Sequence, residues 1–169
     1  LQYNRFEENK KINFMFTQLS EEQFFFEEIN NKTKVLEYGS GESTLEIARV
    51  CKEIVSVEHQ GHWYTRLNNI KPVNCTLLYC PPDLPYIEGG DCGTYEEFKT
   101  YINSPVNYAP FDVILIDGRA RVSCASICDK LAHSDTLIFV HDFDRKEYQE
   151  ILKKLTFVSQ IRSEERRVG

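Results

Sequence analysis

The feature that most constrains this 169-residue sequence is a regular alternation of short apolar segments with amphipathic ones. The apolar segments are rich in Val, Ile and Leu and predict strands at residues 34–38, 53–58, 73–80, 111–116 and 136–140. The amphipathic segments predict helices at residues 20–30, 43–50, 62–69, 95–102, 122–132 and 145–155. Strands that alternate with helices in this way form a parallel sheet covered on both faces.

The pattern therefore predicts a single α/β domain, a Rossmann-like three-layer αβα sandwich with a mostly parallel sheet. The segment FDVILI at 111–116 is continuously apolar, which is typical of a central strand. We expect the domain to span residues 1–161, with a sixth strand at 156–161 and a sheet truncated at the C-terminal side. Residues 162–169 resemble translated adapter sequence, so we expect a non-native tail there.

Composition narrows the class of partner. Twenty Lys and Arg residues against 26 Asp and Glu residues give a net charge of −6, and no basic stripe is present, which disfavours a nucleic-acid partner. No apolar run approaches the roughly 20 residues of a membrane span, and no secretory signal is visible, so we expect a cytoplasmic protein. None of the six cysteines forms a C-x-x-C pair, which favours structural thiols.

The first predicted strand runs into a glycine turn. In open α/β sheets, ligands bind beyond the carboxyl ends of the strands, and glycines there let a ligand approach the backbone. The following helix offers free N–H groups to an anion, and its first hydroxyls either contact a ligand or cap the helix. The candidate ligand-binding residues of this turn are Glu37, Tyr38, Gly39, Ser40, Gly41, Ser43 and Thr44.

A second candidate site residue ends the next strand. Glu58 follows Glu37 by 21 residues, the separation at which an acidic side chain accepts hydrogen bonds from the ribose of an adenosine ligand. Taken alone it can equally be a solvated strand end. His59 and Trp63 are candidates for contacts with the adenine ring, although Trp63 can instead anchor its helix on the sheet.

These residues carry a resemblance to a known family. The segment Glu37-Tyr38-Gly39-Ser40-Gly41 resembles the first motif of class I S-adenosylmethionine-dependent methyltransferases, with Ser43 where many members have a third glycine. The segment FDVILIDGRARVSCA at 111–125, followed by FVHDF at 139–143, resembles a subgroup with an Asp-Gly-Arg motif. Over residues 20–161 the resemblance implies S-adenosylmethionine as cofactor and methyl transfer to a small-molecule or glycan hydroxyl.

The resemblance also suggests roles at the later strand ends. Asp117, beside Gly118 at the cofactor, is the first candidate for a general base, and His141 is the second. Asp117 and Asp142 end adjacent predicted strands and are candidate ligands for a divalent cation such as Mg²⁺. The alternative is that Asp142 caps the helix that follows it.

Other residues are candidates for the acceptor site. Arg119 and Arg121 either bind a carboxylate or phosphate of the acceptor or are solvated residues at a helix start. Tyr86 and Tyr95 belong to a long loop with the composition of a lid.

Two other function classes stay open. An NAD-dependent oxidoreductase shares the turn and the acidic strand end, but its fingerprint has glycine at the position of Thr44, and Glu37 suits a methionine amino group better than a pyrophosphate. The other class is a non-catalytic binding domain of the same fold.

Overall fold

A computed structural model describes residues 13–17, 19–86, 93–143 and 145–153. It contains one six-stranded sheet in which every strand pairing is parallel. The strands are β1 (Asn13–Thr17), β2 (Lys34–Tyr38), β3 (Glu53–Glu58), β4 (Cys75–Tyr79), β5 (Phe111–Ile116) and β6 (Ala132–His141). Their spatial order is β1-β6-β5-β2-β3-β4. The chain winds outward from β2 to β4 and returns to β5, so the switch in strand order lies between β2 and β5. This order confirms the predicted Rossmann-like α/β fold.

Helices cover both faces of the sheet. They are α1 (Leu19–Glu27), α2 (Glu42–Val50), α3 (Gly61–Asn68), α4 (Lys99–Asn103), α5 (Arg121–Ser126) and α6 (Cys128–Leu131), with 3-10 helices at Ser104–Tyr108 and Lys146–Lys153. On one face, Phe25 of α1 and Ile47 of α2 pack on Val35 and Phe139. The opposite face is covered by α4, α5, α6 and the second 3-10 helix. The predicted three layers are therefore present.

The two cores account for most of the burial. Alternate residues of β2 point to opposite faces, so Val35 joins one core while Leu36 and Tyr38 join the other. The five described cysteines are all buried, which fits structural thiols. Of the described helices, none is long and apolar enough to cross a membrane.

Several element boundaries differ from those predicted. β1 was not predicted at all, and β4 omits Val73, which is fully exposed. β6 starts at Ala132 because that residue pairs with Phe111, across a register shift that precedes Val113. The predicted helix 122–132 is interrupted at Ile127 and gives α5 and α6.

Two further predicted helices differ in start or type within the described residues. The segment 95–102 forms a turn before α4 begins at Lys99. The segment 145–155 is a 3-10 helix at Lys146–Lys153 rather than an α-helix. The predicted strand at 156–161 and the tail at 162–169 lie outside the described residues.

Candidate functional site

The switch point between β2 and β5 is built on a close approach of two glycines. Gly39 follows β2 with φ +95°, a left-handed conformation that favours glycine. A Cβ on Gly39 would stand 2.6 Å from both the Cα and the N of Gly118, which follows β5. The Asp117 amide donates to the Tyr38 carbonyl at 2.9 Å, which holds the two turns together. The carboxyl ends of the two central strands are thereby in backbone contact.

Beneath the turn, the carboxylate of Glu37 is fully buried and accepts three hydroxyl groups. Ser43 donates to Oε1 at 2.6 Å, while Thr44 at 2.5 Å and Ser56 at 2.6 Å donate to Oε2. Burial raises the pKa of Glu37 from its ordinary 4.5 to about 7, against the opposing effect of these hydrogen bonds. Glu37 therefore fixes the positions of the hydroxyl groups at the start of α2. A ligand above the turn would contact these hydroxyl groups rather than the Glu37 carboxylate itself.

Ser40 connects this network to the end of β3. Its Oγ lies 2.6 Å from the Ser56 Oγ, and because Ser56 gives its single proton to Glu37, Ser40 is the donor. The Ser40 amide donates to Glu58 Oε2 at 2.9 Å, and the Gln60 amide donates to Oε1 at 2.6 Å. Glu58 is buried and fixed in place by backbone donors from both turns. Ser40 thus connects Glu37, through Ser56, with Glu58, the two carboxylates that were predicted to bind the ligand.

Tyr38 and Trp63 make side-chain contacts with residues outside this turn. Tyr38 is buried in the core and its hydroxyl donates to the Ile102 carbonyl at 2.6 Å. The Arg66 guanidinium lies over the Trp63 ring, 5.1 Å from the ring centroid. Arg66 also pairs with Glu42 at the start of α2. Trp63 thus contacts an arginine of its own helix that pairs with α2, which differs from the packing on the sheet considered for it above. The Tyr38 side chain supports the sheet.

Arg121 is buried at the carboxyl ends of β5 and β6, where it holds two turns together. It donates to the carbonyls of Gly118 at 2.9 Å, Asp117 at 3.0 Å and His141, and it stacks on Tyr148. It is neither a solvated helix-start residue nor free to bind an acceptor, as was predicted for it.

The guanidinium of Arg121 also lies between the two carboxylates that were predicted to share a metal. Its nitrogens are 3.4 Å from Asp117 Oδ1 and 3.9 Å from Asp142 Oδ2. Arg145 pairs with the same Asp142 oxygen. Among the described residues no group of three metal-ligating side chains comes together. Arg121 therefore lies beside both carboxylates that were predicted to hold a divalent cation, and the described residues add no further support to that prediction.

The side chains of Asp117 and His141 remain partly exposed beside Arg121. The Asp117 side chain is 38% exposed. Its partial burial raises the pKa of the carboxyl, and the nearby His141 and Arg121 oppose that rise. His141 Nε2 lies 3.4 Å from Asp142 Oδ1. Asp142 adopts a left-handed φ of +57° directly after β6, as a turn residue. Both predicted proton-transfer residues therefore lie at the switch-point edge of the sheet.

An aromatic cluster surrounds His59, directly after the carboxyl end of β3. His59 makes edge-to-face contacts with Tyr86, Phe98 and Tyr101, at centroid distances of 6.4, 5.7 and 6.1 Å. Arg119 lies over the Tyr86 ring at 5.5 Å. Of the two predicted loop tyrosines, Tyr86 therefore joins the ends of β3 and β5. The hydroxyl of Tyr95 contacts Asn103 instead, and Tyr95 takes no part in this cluster.

Comparisons with known proteins bear on the fold. Neither a protein-family model nor a curated protein matches the sequence. Among solved structures, a methyltransferase-like protein from Silicibacter pomeroyi is similar with a TM-score of 0.60 and 22% identity, over 81% of this chain and 78% of that one. A precorrin 8w decarboxylase from Methanobacterium thermoautotrophicum gives 0.53 and 14%, over 81% and 71%.

A third similar structure is longer than this chain. It is a functionally unknown protein from Deinococcus radiodurans, with a TM-score of 0.56 and 16% identity, and the match covers 80% of this chain but only 57% of that protein. At these identities the likeness to the three structures shows a shared fold.

The structure also brings in residues that the sequence reasoning missed. Ser56 is a fully buried polar residue inside the otherwise apolar strand segment EIVSVE, and such a residue signals a hydrogen-bonded partner. Tyr101 places its hydroxyl against Gly118, 2.1 Å from where a Cβ on that glycine would stand. No sequence signal identified Tyr101, because its contact depends on how α4 lies across the sheet.

Proposed function

We propose that this protein is an S-adenosylmethionine-dependent methyltransferase that acts on a hydroxyl group of a small-molecule or glycan acceptor. The observation that carries the proposal is the Ser40 amide bonded to Glu58 Oε2, 2.9 Å apart. This bond fixes an acidic strand end beside the glycine turn at the switch point, where a nucleoside ligand of a Rossmann-like fold binds.

The residues of the turn fit such a cofactor. A Cβ on Gly41 would meet only the Ser43 Oγ, at 3.9 Å, so the space beside this backbone is open to a ligand. A carboxylate has about four lone-pair positions, and Glu58 uses two of them for amides, which leaves capacity for ribose hydroxyls. The first N–H groups of α2 lack helical acceptors and suit the carboxylate of a methionine moiety.

One feature favours this cofactor over a dinucleotide. The third glycine of a dinucleotide fingerprint allows close packing of helix on strand. Here Thr44 is buried, and its Oγ1 both donates to Glu37 and accepts the Gly41 amide at 2.9 Å. The side chain thus fills the space that a glycine would leave free.

The cofactor would supply a methyl group activated on a sulfonium, and the chain would supply position and proton transfer. Asp117 would accept the proton of the acceptor hydroxyl, since its raised pKa makes it a stronger base than an ordinary carboxylate. Arg121 holds Asp117 and the end of β6 in fixed geometry. His141, at that end, is the second group suited to proton transfer.

Calorimetric titration with S-adenosylhomocysteine and with NAD tests the proposal. We expect S-adenosylhomocysteine to bind and NAD not to bind. The variant Glu58→Gln should lose at least about tenfold in affinity, because an amide cannot accept both the backbone amides and the ribose hydroxyls. Glu53→Gln, at the opposite end of β3, is the matched control and should bind as the native protein does. Binding of NAD alone, or equal affinities in both variants, would reject the proposal.

A further inference from the structure

Arg119 differs from the other cations that lie over aromatic rings. There are five such cations among the described residues, and four of them also have a carboxylate partner within 4 Å. The partnered pairs are Lys34 with Glu53, Arg66 with Glu42, Arg121 with Asp117, and Arg145 with Asp142. Within the described part of the chain, Arg119 alone of the five has no carboxylate partner.

Its position distinguishes it from an ordinary surface cation. Arg119 follows Asp117 by two residues, at the switch-point edge, and is half-buried. Its guanidinium is 5.5 Å from the Tyr86 ring centroid, and Tyr86 packs on Phe98 at 5.0 Å. The ring limits the directions in which the guanidinium can point, so less entropy is lost when it binds a ligand.

Within the ranges that the structure describes, no carboxylate pairs with the Arg119 guanidinium. The nearest carboxylate along the chain, Asp117, is already paired with the buried Arg121. Behind Tyr86, the His59 side chain is 10% exposed, and its Nε2 has no hydrogen-bond partner among the described residues. A buried imidazole nitrogen of this kind is costly unless a ligand or water meets it. Among the described residues, the Arg119 guanidinium therefore has no carboxylate partner and the His59 Nε2 has no hydrogen-bond partner, and both side chains contact the Tyr86 ring.

We propose that Arg119 is the specificity-determining residue for an acceptor that carries an oxyanion, either a carboxylate or a phosphate. The planar guanidinium offers two parallel N–H donors that match either group. This inference rests on the proposed function and adds the class of acceptor to it. The acceptor would place its anionic group on Arg119 and its hydroxyl near Asp117, two residues away.

Two matched pairs of small molecules test this assignment by calorimetry. The first pair is 4-hydroxybenzoate and 4-hydroxybenzamide, and the second is glycerol 3-phosphate and glycerol. Each pair differs in the anionic group, and each is titrated with and without S-adenosylhomocysteine. We expect the native protein to bind an anionic member roughly ten- to hundredfold more tightly than its neutral counterpart. A preference within only one pair supports the proposal and identifies the oxyanion.

The variants separate Arg119 from general charge. Arg119→Gln should remove the preference and keep S-adenosylhomocysteine binding. Lys34→Gln removes a cation that also lies over a ring, 5.3 Å from the Phe111 centroid, but at the amino end of β2. This variant should keep the preference for the anionic molecules. The proposal is overturned if native protein binds charged and neutral members equally, if it binds neither anion at millimolar concentrations, or if Arg119→Gln retains the preference. Anion binding that depends on Arg119 in a protein that fails to bind S-adenosylhomocysteine would reject the proposed function alone.

Discussion

Gly39 and Gly118 lie in backbone contact across the switch point, so that a Cβ on Gly39 would stand 2.6 Å from the Cα of Gly118. Real Cβ atoms do not approach backbone that closely, and the φ of +95° at Gly39 adds strain for any other residue. The contact brings the ends of β2 and β5 together, and the candidate site depends on it.

Gly39→Ala should therefore destabilise the protein strongly. We expect a loss of about 3 kcal/mol or more in the free energy of unfolding, from backbone strain and from the clash with Gly118. Urea unfolding followed by circular dichroism measures it. Gly41→Ala is the matched control, because its Cβ meets open space, and it should change stability by less than about 1 kcal/mol. Equal losses in the two variants would contradict this description of the turn.

The same control variant makes a second prediction. Gly41→Ala should fold normally yet bind S-adenosylhomocysteine about tenfold more weakly, because its methyl group enters the space left for the ligand. Calorimetry on the purified variant measures the affinity. Unchanged affinity in a normally folded variant would place the ligand elsewhere.

The buried Glu37 predicts a pH-dependent stability. Its folded pKa of about 7 is above the 4.5 of the unfolded chain, so the folded state binds the proton more tightly. The stabilisation of the folded state by protonated Glu37 is fully present below pH 4.5 and is lost as the pH rises to about 7. The free energy of unfolding should fall by up to about 3 kcal/mol over this range. Urea unfolding of the native protein and of Glu37→Gln across this range should show that the variant has lost this decline. Parallel curves would show that Glu37 does not titrate in this range, and Glu53→Gln should retain the native slope.

Arg121 predicts a large effect from a single buried cation. Arg121→Gln leaves Asp117 and three carbonyls without the guanidinium and removes one of the two arginines beside Asp142, so we expect a loss of about 3–5 kcal/mol. Arg145→Gln, an exposed partner of the same Asp142, should cost no more than about 1 kcal/mol. Thermal and urea unfolding compare the two variants. A similar small loss in both would show that Arg121 does not hold the turns together.

Local pattern was sufficient for most of the fold. The apolar segments that became β2, β3, β5 and the core of β6 were identified because strands buried on both faces are rich in Val, Ile and Leu. β1 was missed because its assignment depends on pairing with β6, far along the chain. The interruption at Ile127 likewise depends on how α5 and α6 pack, which helical periodicity does not contain.

The sequence predicted where the candidate site lies in the fold better than it predicted the side-chain contacts within the site. Glu58 and Gly39 lie where the spacing placed them, at the ends of neighbouring strands. The contacts of Arg121 could not be predicted, since its acceptors are carbonyls on two separate turns and a carbonyl has no sequence signature. The place of Arg121 beside both Asp117 and Asp142 could not be predicted for the same reason, and the metal proposed for these two carboxylates stays a prediction.

The most direct test of the central claim is a crystal structure of the protein with S-adenosylhomocysteine. We predict the adenosine at the carboxyl ends of β2 and β3, with ribose hydroxyls within hydrogen-bonding distance of Glu58 and the backbone of Gly39 and Gly41 against the ligand. A ligand found away from these strand ends, or crystals that stay free of it at saturating concentration, would contradict the claim.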